Sequence, residues 1–392
     1  MEVNPIIPGE LPKNSFYKSV GDFNAFALES YKGLLHSNTD NNVIYSPYAF
    51  AISMEILRLG VRGETAEKIE KCMHLPEGFD TNVTHPSLFP YTPPRQQTKP
   101  SFDYPPIFLS KHSIWFSESI RLLENFKRRT SRDYDIEFFP TNFALSPMDV
   151  QKKMNDWIHK SGQGRIPFIT SDLPPDTRLW FLQVLYFKAH WANKFEHIST
   201  RDRPFTLITG ESIAVPTMQE DKKWFMYGEY EDVQVLEMPY VSGDSGDFSM
   251  VIFLPRATDG IIRFEDSFDV AQYETLMNSL QNTNVEVFIP KFRIEQEIDL
   301  ADISESGFWD HFDFSGMIDG SETLLNNIRV TQKISIGIDE HGTEIALLGQ
   351  IGYLCLGDEP PRFIVDHPFL FMIREMQTGA ILFIGRVMNP SI

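Results

Sequence analysis

A change of hydrophobic period partway along the chain limits its fold more than any other feature. Up to about residue 162 apolar residues recur at helical spacing; beyond it they gather into short β-rich runs bounded by turn residues. Phe23, Phe26, Ala27, Tyr31 and Leu34 share one stripe, which predicts an amphipathic helix over 20–35. Ser46-Pro47 offers an N-cap followed by proline at the first helical position, and the run to Leu59 is apolar around its circumference before Gly60, so this helix belongs in the core. A third helix spans Glu64 to Met73, charged on its outer side. Ser146-Pro147 repeats the cap signal ahead of Val150, Met154, Trp157 and Ile158, with Gly162 and Gly164 ending that helix. Strands are predicted over 181–188, 233–240, 248–255, 285–293, 328–338, 369–375 and 380–387. Helices first and strands later, without regular βα alternation, indicate an α+β fold; no internal repeat is evident.

Between residues 76 and 106 stand Pro76, Pro86, Pro90, Pro93, Pro94, Pro100, Pro105 and Pro106, a density that rules out a helix interior and predicts an irregular surface insertion. Nothing else divides residues 1–392, and 42% hydrophobic with 23% charged residues is the balance of one compact globular domain.

Acidic residues outnumber basic ones 54 to 35, a formal net charge of -19, which repels phosphate backbones, heparin-like polyanions and anionic lipid. No apolar run reaches the roughly 18 residues of a membrane helix, and MEVNPIIPGELPKN has neither a basic start nor an apolar signal core. The expectation is a cytoplasmic or non-classically secreted protein, with Asn82 a glycosylation acceptor if the chain is exported. Two cysteines, Cys72 and Cys355, exclude a disulfide framework.

Catalysis finds little support. Gly243-Asp244-Ser245-Gly246 copies part of a chymotrypsin-like nucleophile loop, but Asp247 follows where glycine is needed and no histidine sits in a partner motif. Between two predicted strands the segment reads as a hairpin turn. The ten histidines show no HExxH or Cys/His cluster, and no phosphate-binding glycine loop occurs, so neither metal nor nucleotide cofactor is expected. Asp339-Glu340 and Asp358-Glu359 read as solvated loop charges.

The stretch from Phe363-Ile364-Val365-Asp366-His367-Pro368-Phe369-Leu370-Phe371 through Ile373-Arg374 to Ile381-Leu382-Phe383-Ile384-Gly385-Arg386 resembles the serpin signature almost residue for residue. Blocks in the same order agree: Asn42 to Pro47 with Leu59-Gly60 and Gly63-Glu64-Thr65; Tyr186-Phe187-Lys188 with Trp191 and Phe195; Leu236 to Tyr240; and Pro290-Lys291-Phe292. The resemblance covers residues 20 to 390 apart from the proline-rich segment. It implies three β-sheets, a helical N-terminal subdomain, and an exposed reactive-centre loop over 339–361 that a target serine protease cuts as substrate. The severed arm then enters the central sheet and traps the acylated enzyme; strand addition of this kind releases stored strain. The chain would be a monomeric inhibitor, capable of loop-sheet polymers, and not an enzyme.

Counted from Gly342 by the family's spacing, the reactive bond is Leu356-Gly357; counted from Pro368 it shifts by one, and Tyr353, Leu354 and Cys355 stand as alternative cleavage positions. Cys355 would face solvent. No Lys or Arg occurs from Glu344 to Pro361, so chymotrypsin-, cathepsin G- or elastase-like targets fit and trypsin-like ones do not. The implied hinge comprises Glu340, Gly342, Thr343, Glu344, Ile345 and Ala346. Ile345, Leu347 and Leu348 are bulkier than the family's small residues, which leaves a non-inhibitory carrier, storage or interaction protein as the second reading. The implied sheet-opening region holds Ser46, Ala49, Gln183, Trp191, Lys291 and Gln332. Serine, asparagine and histidine are usual where this chain has Ala49, Gln183 and Gln332, so loss of a group titrating near neutrality predicts opening insensitive to pH between 5 and 8. Glu340 would pair with Lys291, either as the family's loop-base contact or as an exposed ion pair worth under roughly 1 kcal/mol.

Overall fold

The computed structural model describes residues 20–36, 40–75, 106–166, 168–169, 173–243, 246–303, 312–320, 323–325, 328–343 and 360–391. In chain order these form α1 (Val20–Leu35), β1 (Val43–Tyr45), α2 (Pro47–Gly60), α3 (Glu64–Cys72), β2 (Ile107–Ser117), β3 (Arg121–Leu122), α4 (Glu124–Tyr134), β4 (Glu137–Thr141) and α5 (Pro147–Ser161). Strands dominate thereafter: β5 (Leu179–His190), β6 (Arg201–Thr206), β7 (Ser212–Glu229), β8 (Val233–Pro239), β9 (Phe248–Pro255), β10 (Gln281–Pro290) and β11 (Phe292–Asp299), with α6 (Ile261–Ser267) and α7 (Val270–Asn278) between β9 and β10. The short β12 (Phe312–Asp313), β13 (Ile318–Asp319) and β14 (Leu324–Leu325) precede β15 (Ile328–Ile338), β16 (Gly342–Thr343), β17 (Arg362–Ile364), β18 (Phe369–Glu375) and β19 (Ile381–Val387). The order is the expected α+β one. The proline-rich segment, apart from Pro106, lies outside the described residues, as do Asn82, Asp244 and Ser245.

A six-stranded sheet runs β11-β15-β5-β2-β4, with β16 added beside β5. The other two expected sheets trace as one nine-stranded path because the 18-residue β7 belongs to both. Its first part pairs with β6, its last with β8, and β10 runs along much of it. The crossover is marked by Lys222 at φ 51 and a register shift between Val285 and Val287, the extra twist a bulge supplies.

The central strand β5 is buried on both faces, which its nearly unbroken apolar run requires. Since successive side chains alternate, Trp180, Leu182, Val184 and Tyr186 meet the α5 stripe of Val150, Met154, Trp157 and Ile158. Leu179, Phe181, Leu185 and Phe187 face the main core with α1 and α2. Gln183 therefore points at α2. Every residue of α2 is buried, and its two charges, which the reading of that helix as wholly apolar overlooked, satisfy one another: Arg58 donates to Glu55 at 2.6 and 2.9 Å. Ser46 caps α2 as expected, its Oγ accepting from Ala49 N at 3.2 Å. Ser146 does not cap α5; there the proline alone marks the start.

Candidate functional site

The seam between β15 and β5 is where the serpin resemblance would have a further strand enter the six-stranded sheet. It is closed as a parallel ladder from Ile328↔Leu179 to Ser335↔Tyr186. Above Tyr186 the two strands diverge. The chain leaving β15 turns back at Asp339–Gly342, where Asp339 N donates to Gly342 O at 3.0 Å and Gly342 N returns a bond to Asp339 O at 3.2 Å. Gly342 and Thr343 then pair antiparallel with His190 and Ala189 of β5. Only glycine suits this corner: φ is +131°, and a Cβ at Gly342 would stand 2.7 Å from both His190 Cα and Trp191 N.

Three side chains hold the turn. Trp191 N donates to His341 O at 2.9 Å and its indole Nε1 to Asp339 O at 3.0 Å, while its ring stacks on Tyr240 at 4.5 Å and 9°. Glu340, only 2% exposed, accepts from Lys291 Nζ at 2.9 Å on Oε2 and from Thr200 Oγ1 at 2.7 Å on Oε1. Burial alone would raise the Glu340 pKa, but the bonds from Lys291 and Thr200 outweigh it and hold the carboxyl at about 2. This corrects the exposed-ion-pair reading: the lysine is partly open at 36%, but the carboxylate is not.

Lower in the seam, parallel register sets Gln332 beside Gln183 on the α2 side. The glutamines bind α2 and not one another. Gln332 bridges Ser46, accepting from its N at 3.3 Å and donating to its O at 3.0 Å, and Gln183 Nε2 donates to Ala49 O at 2.6 Å. Ser46 Oγ in turn donates to Leu382 O in β19, at 2.8 Å. Each glutamine is thus tied separately to the start of α2.

A titratable group is also present where none was expected. His112, opposite Gln183 on β2, places Nδ1 3.2 Å from Gln183 Nε2. Burial pushes its imidazole down to about 4, with Lys111 adding to the effect. The ring is neutral from pH 5 to 8, and it lies on the side of β5 away from the seam, so parting β5 from β15 leaves it packed. Opening should still be flat over that range, because this imidazole is present but stays neutral and in place.

His112 makes its own contribution to stability depend on pH. Its folded pKa lies below the unfolded value near 6.5, so at this site the unfolded chain takes up more protons between about 6.5 and 4, and the His112 contribution falls by about 2 kcal/mol from pH 7 to pH 5. Glu55 and Glu220, which burial raises to about 7, act in the opposite sense over the same window. Urea unfolding of the parent and of His112→Gln at the two pH values isolates the histidine's share as the difference between the two chains.

Glu344, Ile345, Ala346, Leu347, Leu348, Tyr353, Leu354, Cys355, Leu356 and Gly357 lie outside the described residues. Of the predicted site, the structure brings Glu340, Lys291, Trp191 and Gly342 together at the top of the seam, with Ser46, Ala49, Gln183 and Gln332 below. Sequence reading missed Thr200, His112, and the contact between His197 and His341, whose Nε2 atoms stand 3.1 Å apart although 144 residues separate them. No spacing rule could have signalled any of the three.

The central sheet is thus closed between β15 and β5, and the chain leaving β15 turns back at Gly342 to pair with the upper end of β5. A family model described as Serpin (serine protease inhibitor) matches residues 22–390. An uncharacterised serpin-like protein of Thermococcus kodakarensis is 32% identical over 379 residues, covering 95% of this chain and 85% of that one. Leukocyte elastase inhibitor A of Mus musculus is 30% identical over 382 residues, covering 93% and 97%. Among solved structures, Serpin48, a highly specific serpin of the insect Tenebrio molitor, superposes with a TM-score of 0.80 at 26% identity, covering 97% of this chain and all of that one. The chain belongs to the serpin family.

Proposed function

We propose that the chain is a suicide-substrate inhibitor of a chymotrypsin-, cathepsin G- or elastase-like serine protease, built as one domain over residues 1–392 with its reactive-centre loop at 339–361. The enzyme's serine attacks the Leu356 carbonyl and expels the Gly357 amine. Before water can hydrolyse the resulting ester, the arm beginning at Gly342 enters between β5 and β15 and carries the acylated protease away. The observation that carries this reading is the ladder from Ile328↔Leu179 to Ser335↔Tyr186, closed while Gly342 and Thr343 already lie against β5. Elastase-inhibitor relatives and the absence of Lys or Arg from Glu344 to Pro361 support the choice of target.

Ile345, Leu347 and Leu348 favour a second reading, a non-inhibitory serpin, because bulky hinge residues need more room in the seam and slow the race against deacylation. One gel separates the two. Incubated with chymotrypsin, elastase or cathepsin G, the chain should give a complex that survives boiling in SDS, and Leu356→Arg should transfer that behaviour to trypsin. A cleaved band alone with all three enzymes would favour the second reading.

A further inference from the structure

His197 opens a short 3-10 turn (His197–Ser199) in the connection that follows β5, whereas Glu340 and His341 sit in the turn that follows β15. The two connections meet across the top of the seam, and one donor atom from each of the three residues lies within 4.8 Å of the others. Each imidazole has a carboxylate near its Nδ1: Glu340 Oε1 at 3.3 Å from His197, and Asp339 Oδ1 at 3.6 Å from His341. A carboxylate there favours the tautomer with its proton on Nδ1, leaving Nε2 as a lone pair. The two Nε2 atoms stand 3.1 Å apart, a hydrogen-bond distance at which one of them donates to the other. A cation that displaces that one shared proton finds two imidazole lone pairs within reach.

We propose that His197, His341 and Glu340 bind a zinc ion that staples the β5 side of the seam to the β15 side. Tetrahedral zinc with Zn–N of about 2.0–2.1 Å sets two ligand nitrogens about 3.3 Å apart, close to the spacing found here. The remaining spread closes by rotation of His197, whose side chain is 63% exposed, and Glu340 gives up Thr200 and the His197 Nδ1 contact to turn Oε1 to the metal while Oε2 stays on Lys291. Water fills the fourth position, so the site takes up zinc reversibly. Imidazole donors select zinc over magnesium. A metal bridging both sides must be released, or its ligands rearranged, before the turn at 339–342 can unfold into the seam, so zinc should slow loop insertion. That last consequence rests on the proposed inhibitory reading; the binding does not.

Equilibrium dialysis of the intact chain against ZnCl2 should find one tightly held zinc ion per chain, and MgCl2 in excess should not displace it. His197→Ala, at a side chain 63% exposed, should weaken binding at least tenfold, with His341→Ala agreeing; His159→Ala, on α5, should leave it unchanged. Zinc affinity unmoved by both His197→Ala and His341→Ala, or no zinc bound, overturns the site. If zinc binds as stated but leaves the rate of SDS-stable complex formation untouched, the staple fails as a regulator of insertion, and if no such complex forms with or without zinc, the inhibitory reading is what fails.

Discussion

Glu340→Lys is expected to turn the chain into loop-sheet polymers on mild warming. Glu340 is almost wholly enclosed and both of its oxygens are committed, Oε2 to Lys291 and Oε1 to Thr200. A lysine in its place sets a second ammonium beside Lys291 and leaves the Thr200 hydroxyl without its acceptor. Losing one partner of a fully buried charge pair costs about 3–5 kcal/mol; the survivor here, Lys291, is 36% exposed and partly hydrated, so the cost is smaller than that. Here the cost falls on the turn that joins β15 to β16 at the top of the seam. With the turn released, the slot beside β5 stands open to the loop of a second molecule. Native gels and light scattering after incubation a few degrees below the melting temperature would reveal the polymers. Adding Lys291→Glu restores an attractive pair and should suppress them. A Glu340→Lys chain that stays monomeric and melts like the parent would show that this contact does not guard the seam.

Most of the architecture could be read before any coordinates, and the failures have identifiable causes. The helices α1, α2, α3 and α5 and the strands β5, β8, β9, β15, β18 and β19 carry strong apolar patterns, and their predicted limits fall within a few residues of those observed. β7 was missed because Gln219-Glu220-Asp221-Lys222-Lys223 in its middle looks like a polar loop; it is polar because the strand there passes between sheets and is partly open to solvent. β2 was missed because Ser110-Lys111-His112-Ser113 breaks its apolar run directly after the proline-rich segment. α4 buries only Phe126, Thr130, Asp133 and Tyr134, too few apolar groups to register as a stripe. Losing β2 also lost His112, and with it the reason for the neutral seam. The loop-base pair of Glu340 and Lys291 was legible through the serpin resemblance alone. Its burial and the Thr200 bond depend on three connections meeting in space, which no local pattern encodes.

The proposed trapping mechanism depends on a closed sheet that would be more stable with one more strand. An inserted strand of about ten residues makes roughly twenty backbone bonds with its two neighbours, against about eight lost where β5 and β15 now pair, a net gain on the order of 10 kcal/mol at about 1 kcal/mol each. A melting entropy of about 2.1 cal/mol/K per residue turns that gain into an upward shift of roughly 12 °C for a chain of this length. Burial of Ile345 and Leu347 upon insertion would add to it. The direct measurement is calorimetry of the intact chain beside the same chain nicked once at Leu356-Gly357. A nicked form that melts at least about 10 °C higher is the predicted result; identical melting temperatures for the two forms would contradict the account.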